Sequence, residues 1–565
     1  MINTQDVISK TYPRLSHNKL IQKPMMSVMK YLLCEHELNA FSQAYPHLTG
    51  FDFVEQLLDH FQCSYTVSDK HKERIPSTGK VVIIANHPIG TIDGLALIKL
   101  VKEIRSDVKV IANDLLMNVQ ALHDVLLPVQ NMQGNTPKQN LQNINRHLQN
   151  NGAVIMFPAG EVSRLRPTGI KDTKWQKGFL TLAKAHHAPI LPIYVGAKNS
   201  ALFYGISMLS KPAASALLVR EMLHKKNTDL PVKIGELIPY SSIANLPLST
   251  KEQVKLIKRH LYRIAKNAKP LLATQSAIAP PEERRELLKA IHQECEHLGE
   301  TTDGKVIFLY QYQQSSPIMR ELGRLRELTF RAVGEGTQQR RDVDLYDKYY
   351  QHLILWDPND LEIAGAYRLG NAKSILEAGD ALYSQSLFDY QDTFAPYFEE
   401  GLELGRSFVQ EKYWGKRSLD YLWMGIGAFI RRYPRYRYLF GPVSLSATLP
   451  SEATALITSF FSFYFPDKQA LVTPRLPYSA STVYTEYFAD LSYDEGMELL
   501  KSRLGALNVA IPTLFKQYGQ LCEPESTGVR FCGFNIDPDF QNCIDGLVLV
   551  DITLMKEKKK RRYLG

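Results

Sequence analysis

From Val81 to Val195 the chain alternates between two spacings of apolar residues. Val81–Ala85, Val108–Ile111, Ala153–Phe157 and Ile190–Val195 are short apolar runs rich in β-branched residues, with the length of buried strands. Between them, Leu95–Ile104, Leu141–Leu148 and Phe179–Ala185 place apolar residues at helical spacing. In Asn135–Asn150, Thr136 and Pro137 offer an N-cap and a first helical residue, while Leu141, Ile144 and Leu148 share one face. The alternation predicts an α/β domain. Downstream the rhythm loosens. A strand over Lys305–Tyr312, a helix through Leu322–Phe330, strands at Glu362–Leu369 and near Leu402–Val409, and a helix from Ser418 predict an α+β domain.

At 565 residues the chain is too long for one hydrophobic core. The Pro- and charge-rich stretch Gln275–Glu283, QSAIAPPEE, marks the seam, giving domains 1–275 and 276–565. A 44% hydrophobic and 22% charged composition excludes disordered, collagen-like and coiled-coil chains. No apolar run has the length of a bilayer span. The first residues, MINTQDVISKTYPR, lack the apolar core of a secretory signal, so a cytosolic protein is expected. Six cysteines without a CxxC pair suggest buried, reduced thiols and no zinc or disulfide framework. The net charge of +9 is partly concentrated in Lys556–Arg562, a run suited to an anionic partner or simply solvated. Leu20–Leu33, apolar with interspersed lysines, reads equally as a membrane-interface helix or a packed cap broken by Pro24.

Candidate chemistry in the first half centres on VVIIANHPIGTIDGLALI at 81–98. A strand ends in Asn86-His87-Pro88, a glycine loop follows, and Asp93 opens a helix. An imidazole whose far nitrogen is held by a carboxylate can take a proton from an alcohol, so His87 is a candidate base and Asp93 its orienter. The nucleophile would be a substrate hydroxyl. VIMFPAGEVSR at 154–164 is a second strand that breaks into a turn presenting Glu161, Ser163 and Arg164, at the strand end where α/β sheets bind ligands. Arg164, with Arg166, Lys171, Lys174 and Lys177, could hold a phosphate or carboxylate, or form a solvated basic face.

These segments and the strand APILPIYV at 188–195 resemble, in order and approximate spacing, the lysophospholipid acyltransferase family over about Val81–Ile238. Five residues rather than the usual four separate His87 from Asp93, and Ala159 stands where the family's Glu follows Phe-Pro. Both departures resemble the branch that O-acylates lyso-aminolipids to finish bacterial aminolipids such as ornithine lipid. The resemblance implies that His87 is the base, that Asp93 orients it, and that Phe157, Pro158, Gly160, Glu161 and Arg164 shape the acceptor site.

In the second half, LRELTFRAVGEG from 325, DVDLYDKYYQHLILWD from 342, AGAYRLG at 364–370 and ELGRSFVQEKYWGKRSLDYLW at 403–423 set charges among apolar residues. Unpaired, such charges would be costly, so Arg326, Asp344, Asp347, Arg368, Glu403 and Arg406 are expected to pair in a network. The series resembles the N-acyltransferases that make lyso-ornithine lipid and, more distantly, acyl-homoserine-lactone synthases. The resemblance implies a GNAT-like fold and an acyl carrier protein donor. Glu403 is the candidate to receive the amine proton; Arg326, Asp344, Asp347, Arg368 and Arg406 are candidates for the N-acyltransferase site or its supporting network. A clear Gly-rich pyrophosphate loop is lacking; Tyr413–Ser418, YWGKRS, is the nearest substitute.

Together these readings imply an α/β N-terminal acyltransferase domain plus an α+β GNAT-like C-terminal domain, in a bifunctional aminolipid synthase. The C-terminal domain would N-acylate ornithine, with glycine as the alternative, using a 3-hydroxyacyl group from acyl carrier protein. The N-terminal domain would O-acylate the resulting lyso-lipid. No cofactor or metal is implied, nor a nucleic-acid partner; the expected location is the inner face of a bacterial cytoplasmic membrane, peripherally bound. The competing reading is a phospholipid-remodelling enzyme with a degenerate, carrier-binding C-terminal domain.

Overall fold

A strand such as Val81–Ala85 can be apolar throughout only if both of its faces are covered, and the structure covers both. The structure is a computed structural model describing residues 40–565 apart from 42, 114–118, 130–137, 167–168, 210–227 and 245. Leu20–Leu33, Cys34, Thr136 and Pro137 lie outside the described residues. The chain divides into two compact units, Met1–Pro280 and Pro281–Gly565.

In the first unit the strands are β1 (Cys63–Thr66), β2 (Val81–Ala85), β3 (Val108–Asn113), β4 (Leu126–Val129), β5 (Ala153–Met156), the hairpin β6 (Arg164–Arg166) and β7 (Gly169–Lys171), β8 (Ile190–Val195) and β9 (Thr228–Ile234). All but the hairpin form one sheet in the order β1-β9-β8-β2-β5-β3-β4. β8, β2, β5, β3 and β4 run parallel; β9 is antiparallel to β8 and carries β1. Val81 and Ile83 pack with helices α1 (Gly50–His60) and α2 (Thr91–Lys102) on one face. Val82 and Ile84 pack with α3 (Lys138–Gln149), α4 (Gly178–Ala185) and α5 (Thr250–Ile264) on the other. The parallel strands β2 and β5 are neighbours in register, Ile84 beside Met156, so the loops after them emerge side by side.

The second unit holds an eight-stranded sheet: β10 (Cys295–Glu300), β11 (Val306–Gln311), β12 (Gln351–Asp357), β13 (Glu362–Asn371), β15 (Gly401–Val409), β16 (Tyr438–Leu445), β19 (Cys543–Asp551) and β18 (Val529–Asp537), in that spatial order. β14 (Phe388–Tyr390) and β17 (Val472–Pro474) pair separately. Every neighbouring pair in the large sheet is antiparallel except β15 and β16. Those two pair only at Gly401–Glu403 against Tyr438–Phe440, then part company. Gly441 sits at the parting with φ +153°, and a Cβ there would lie 2.0 Å from the Leu404 carbonyl oxygen, so only glycine fits. Helices α6 (Pro317–Ala332), α7 (Ser418–Arg432) and α8 (Ser451–Tyr464) pack on the sheet around Trp356, Trp423 and Phe460.

The basic run near the C-terminus is docked rather than loose. It forms α9 (Glu557–Tyr563), whose Tyr563 is buried and donates its hydroxyl hydrogen to Asp420 Oδ1 at 2.9 Å. Arg562 pairs with the same carboxylate. Of the five described cysteines, four are buried and Cys295 is half-buried; none forms a disulfide.

Candidate active sites

In the first unit, His87 follows β2 and Asp93 lies in the first turn of α2. Asp93 is fully buried; its Oδ2 accepts the Ile89 N–H at 2.9 Å and the Gly90 N–H at 3.1 Å, and lies 3.2 Å from His87 Nδ1. The loop of Pro88–Gly90 thus folds around the carboxylate, and Gly90, at φ +128°, supplies a backbone turn that side-chain-bearing residues resist. Phe157, just beyond β5, stacks on the imidazole with ring centroids 4.2 Å apart and fixes its plane. The arrangement leaves Nε2 to accept a proton while Nδ1 faces the anion, the requirement for general-base activation of a hydroxyl.

A third group completes the support. Asp172 Oδ1 accepts the His87 backbone N–H at 3.2 Å and the Ser163 hydroxyl at 2.6 Å, and its Oδ2 accepts Trp175 Nε1–H at 2.8 Å. The Ser163 N–H in turn donates to the His87 carbonyl at 2.7 Å. Asp172 therefore ties the post-β5 loop to the post-β2 loop. Nothing at Asp172 itself announces this role in the sequence.

Of the other expected acceptor residues, the Pro158 carbonyl accepts the Gln176 N–H at 2.8 Å, and Gly160 is exposed with φ +66°. Glu161 and Arg164 pair at 3.2 Å, and Arg164 also donates to the Ser207 hydroxyl at 2.5 Å, with its guanidinium 5.8 Å from the Phe203 ring centre. Arg164 is thus already engaged by protein groups, and its Nε alone is left without a partner among the described residues. The neighbouring cations Arg166, Lys171, Lys174 and Lys177 line a cavity of about 970 Å³ together with Lys255 and Lys258. Asp172 and Trp175 belong to the same wall, so the cavity backs onto the residues that support His87.

In the second unit the expected charges form a closed ring. Arg326 holds Asp347 at 2.7 Å, Arg368 bridges Asp347 at 3.2 Å and Asp344 at 2.6 Å, and Arg406 bridges Asp344 at 3.5 Å and Asp342 at 3.1 Å. Asp342 closes the circuit to Arg326 at 3.4 Å. Three cations balance three anions. Burial alone would raise the Asp347 carboxyl, but Arg326 and Arg368 outweigh it and hold it well below the usual carboxylate range.

Where β15 and β16 diverge lies a cavity of about 810 Å³, lined by Leu404–Val409 and Pro442–Leu445. Tyr413–Lys416, within the expected phosphate-loop substitute, lines it too. Strand edges left unpaired where the two part can offer backbone donors and acceptors to an extended ligand. Arg406, with φ +47°, is part of the lining, whereas Arg326, Asp344, Asp347 and Arg368 are not.

Glu403 does not line this cavity. It is 1% exposed, and it accepts the Ser384 N–H at 2.8 Å, the Tyr383 N–H at 3.3 Å and the Tyr350 hydroxyl. The residue expected to receive the amine proton is thus held by three protein donors and stands outside the lining of this cavity. Burial pushes its carboxyl up, against the pull of these donors.

Residues 14–269 match the Acyltransferase family and residues 325–424 match the acetyltransferase (GNAT) domain. The chain is 33% identical over 298 residues to the glycine N(alpha)-acyltransferase of Bacteroides thetaiotaomicron, spanning 50% of this chain and 87% of that protein. The chain belongs to the acyltransferases. It is also 29% identical over 231 residues to the lyso-glycine lipid O-acyltransferase of Phocaeicola vulgatus, covering 40% of this chain and 82% of that one. Against the L-ornithine N(alpha)-acyltransferase of Agrobacterium fabrum it is 30% identical over 251 residues, covering 43% and 78%. His87, Asp93 and Arg164 fall inside the Acyltransferase match, and every arginine of the ring falls inside the GNAT match.

Besides Asp172, four acids in the second unit of this acyltransferase went unnoticed in the sequence. Asp342 completes the ring, and the alternation Asp342-Val343-Asp344 was its available signal. Glu335, Asp537 and Asp545 are buried beside the second cavity, with Glu335 and Asp545 in its wall. Glu335 comes from a loop far along the chain from the consecutive strands β18 and β19 that carry Asp537 and Asp545, and no local pattern sets them apart.

Proposed function

We propose that this chain makes a diacylated aminolipid by two successive acyl transfers. The C-terminal unit joins a fatty, 3-hydroxylated acyl group from acyl carrier protein to the amine of an amino acid. The N-terminal unit then esterifies the hydroxyl of that product, with His87 taking its proton and Asp93 orienting the imidazole. The observation that carries the reading is the pairing within one chain. In both Bacteroides thetaiotaomicron and Phocaeicola vulgatus, separate relatives are named for glycine N-acylation and lyso-glycine lipid O-acylation, and this chain resembles each of them.

Ornithine is the head group we propose first, because the motif series from Arg326 to Arg406 resembles that of the ornithine N-acyltransferases. Glycine is the second reading, favoured by the 33% identity to a glycine enzyme. A strongly acidic carrier protein suits a chain of net charge +9, and the lysine-lined cavity of the first unit supports an anionic partner. Among the described residues no helix is long and apolar enough to cross a membrane, so binding to the inner face of the cytoplasmic membrane would be peripheral.

The test is mass spectrometry of lipids from an aminolipid-free bacterial host expressing the chain, with labelled ornithine and labelled glycine fed separately. A new diacylated lipid carrying one label is the expected result and names the head group. Remodelled phospholipids with no labelled lipid would favour the single-activity alternative.

A further inference from the structure

Outside the balanced ring of three arginines and three aspartates, the second unit keeps carboxyl groups with no cation of their own. Asp545, on β19, is 5% exposed and lies in the wall of the cavity between β15 and β16. Among the described residues its carboxylate receives one weak contact, the Cys543 thiol on Oδ2 at 3.7 Å, and Oδ1 receives none. Glu335, 7% exposed and in the same wall, accepts the Ser444 hydroxyl on Oε2 at 3.0 Å and offers Oε1. Ser444 is the direct cross-strand partner of Asp545, which brings the two acids to one spot.

Buried carboxyls left open toward a cavity are costly unless protonated or met by a cationic ligand. Resting on the N-acylation reading above, we propose that Asp545, seconded by Glu335, accepts the proton of the acceptor's ammonium group and so frees the amine to attack. The carboxylate takes one proton and the neutral nitrogen attacks the thioester carbon. A C–N bond then forms, the C–S bond breaks, and a second nitrogen proton leaves with the sulfur as the thiol. Glu403, by contrast, is held by Ser384, Tyr383 and Tyr350 and is not in that wall.

The electrostatics agree. Burial, then Asp537 and Glu335, push Asp545 up to about 8, against the pull of Arg406 and the Cys543 thiol; burial pushes Glu335 up to about 7, against Ser444 and Arg406. Tyr383 also faces this cluster, bridging Asp537 and Arg406. A base tuned near the working pH is the efficient choice for proton abstraction.

The test uses the full chain, an acyl-carrier-protein thioester, and two acceptors: the amino acid, and an aminooxy acid whose nitrogen is already neutral at the assay pH. Asp545→Asn should lower kcat/KM for the amino acid by about 100-fold or more yet leave the aminooxy acid within about threefold of wild type. Glu335→Gln should show a smaller loss in the same direction. In the wild type, the amino-acid profile should carry an acidic limb between about pH 7 and 8 that the aminooxy acid lacks. That profile needs no variant to fold. Equal losses for both acceptors, the same limb with both, or a requirement for an added divalent metal would overturn the proposal. Wild-type protein that acylates neither nitrogen would instead overturn the N-acylation reading on which it rests.

Discussion

Replacing Asp93 by Asn tests whether the first unit works through an oriented imidazole. The carboxylate oxygen lies 3.2 Å from His87 Nδ1 in a buried site. At that separation, with an effective dielectric of about 20, an imidazolium–carboxylate pair is worth roughly 5 kcal/mol. At about 1.4 kcal/mol per tenfold, losing all of it would slow a step that charges the imidazole by about 10³–10⁴-fold. The same oxygen also serves the Ile89 and Gly90 N–H groups, which keep part of the loop in place, so a loss of about 10²–10⁴ is expected. The assay supplies purified chain with lyso-aminolipid and acyl-carrier-protein thioester, and counts the O-acylated product by mass spectrometry. N-acylation by the same preparation is the control. O-acylation within about threefold of wild type, with folding intact, would refute the orientation argument.

Three further outcomes follow from the packing. Asp347→Ala strips one anion from a buried ring and should cost about 3–5 kcal/mol, seen as a fall of about 6–15 °C in the Tm of the second unit; a fall under about 3 °C would show that the ring does not hold the fold. Gly427→Ala improves intrinsic helix propensity by about 1 kcal/mol, yet its Cβ would sit 1.7 Å from the Tyr563 carbonyl oxygen. Amide exchange in Glu557–Tyr563 should therefore accelerate, and unchanged protection would contradict the docking of α9. Asp545 has its carboxyl raised by burial from 3.8 to about 8, so the folded state binds the proton more tightly than the unfolded state. Its contribution is present at low pH and is lost as pH rises toward 8; Asp545→Asn should flatten the decline in Tm between about pH 5 and 8, and an unchanged slope would contradict that burial.

What could be read directly from the sequence is what local pattern encodes. A five-residue apolar run ending in Asn-His-Pro, with an acid in the next helix's first turn, fixes β2, the loop and the His87–Asp93 approach within a few residues. The arginines and aspartates of the second unit were legible as a network because isolated buried charges are prohibitive. Long-range chemistry was not legible. Asp172 supports His87 from 85 residues away, and Asp545 meets Glu335 only through the pairing of β16 with β19. Nor was the setting of Glu403 legible, because the groups that bond it, Tyr350 and the backbone of Tyr383 and Ser384, arrive from other segments. The basic C-terminal run reads as solvated until Tyr563 is seen seated on Asp420 and Gly427.

The measurement closest to the central claim is a time course with purified chain, acyl-carrier-protein thioester and labelled amino acid, run for wild type and His87→Ala and followed by mass spectrometry. The expected result is that wild type forms a mono-acylated species that converts to a diacylated one, while His87→Ala stops at the first. Diacylated product from His87→Ala at the wild-type rate, or diacylated product with no mono-acylated precursor in wild type, would contradict two ordered transfers at two sites.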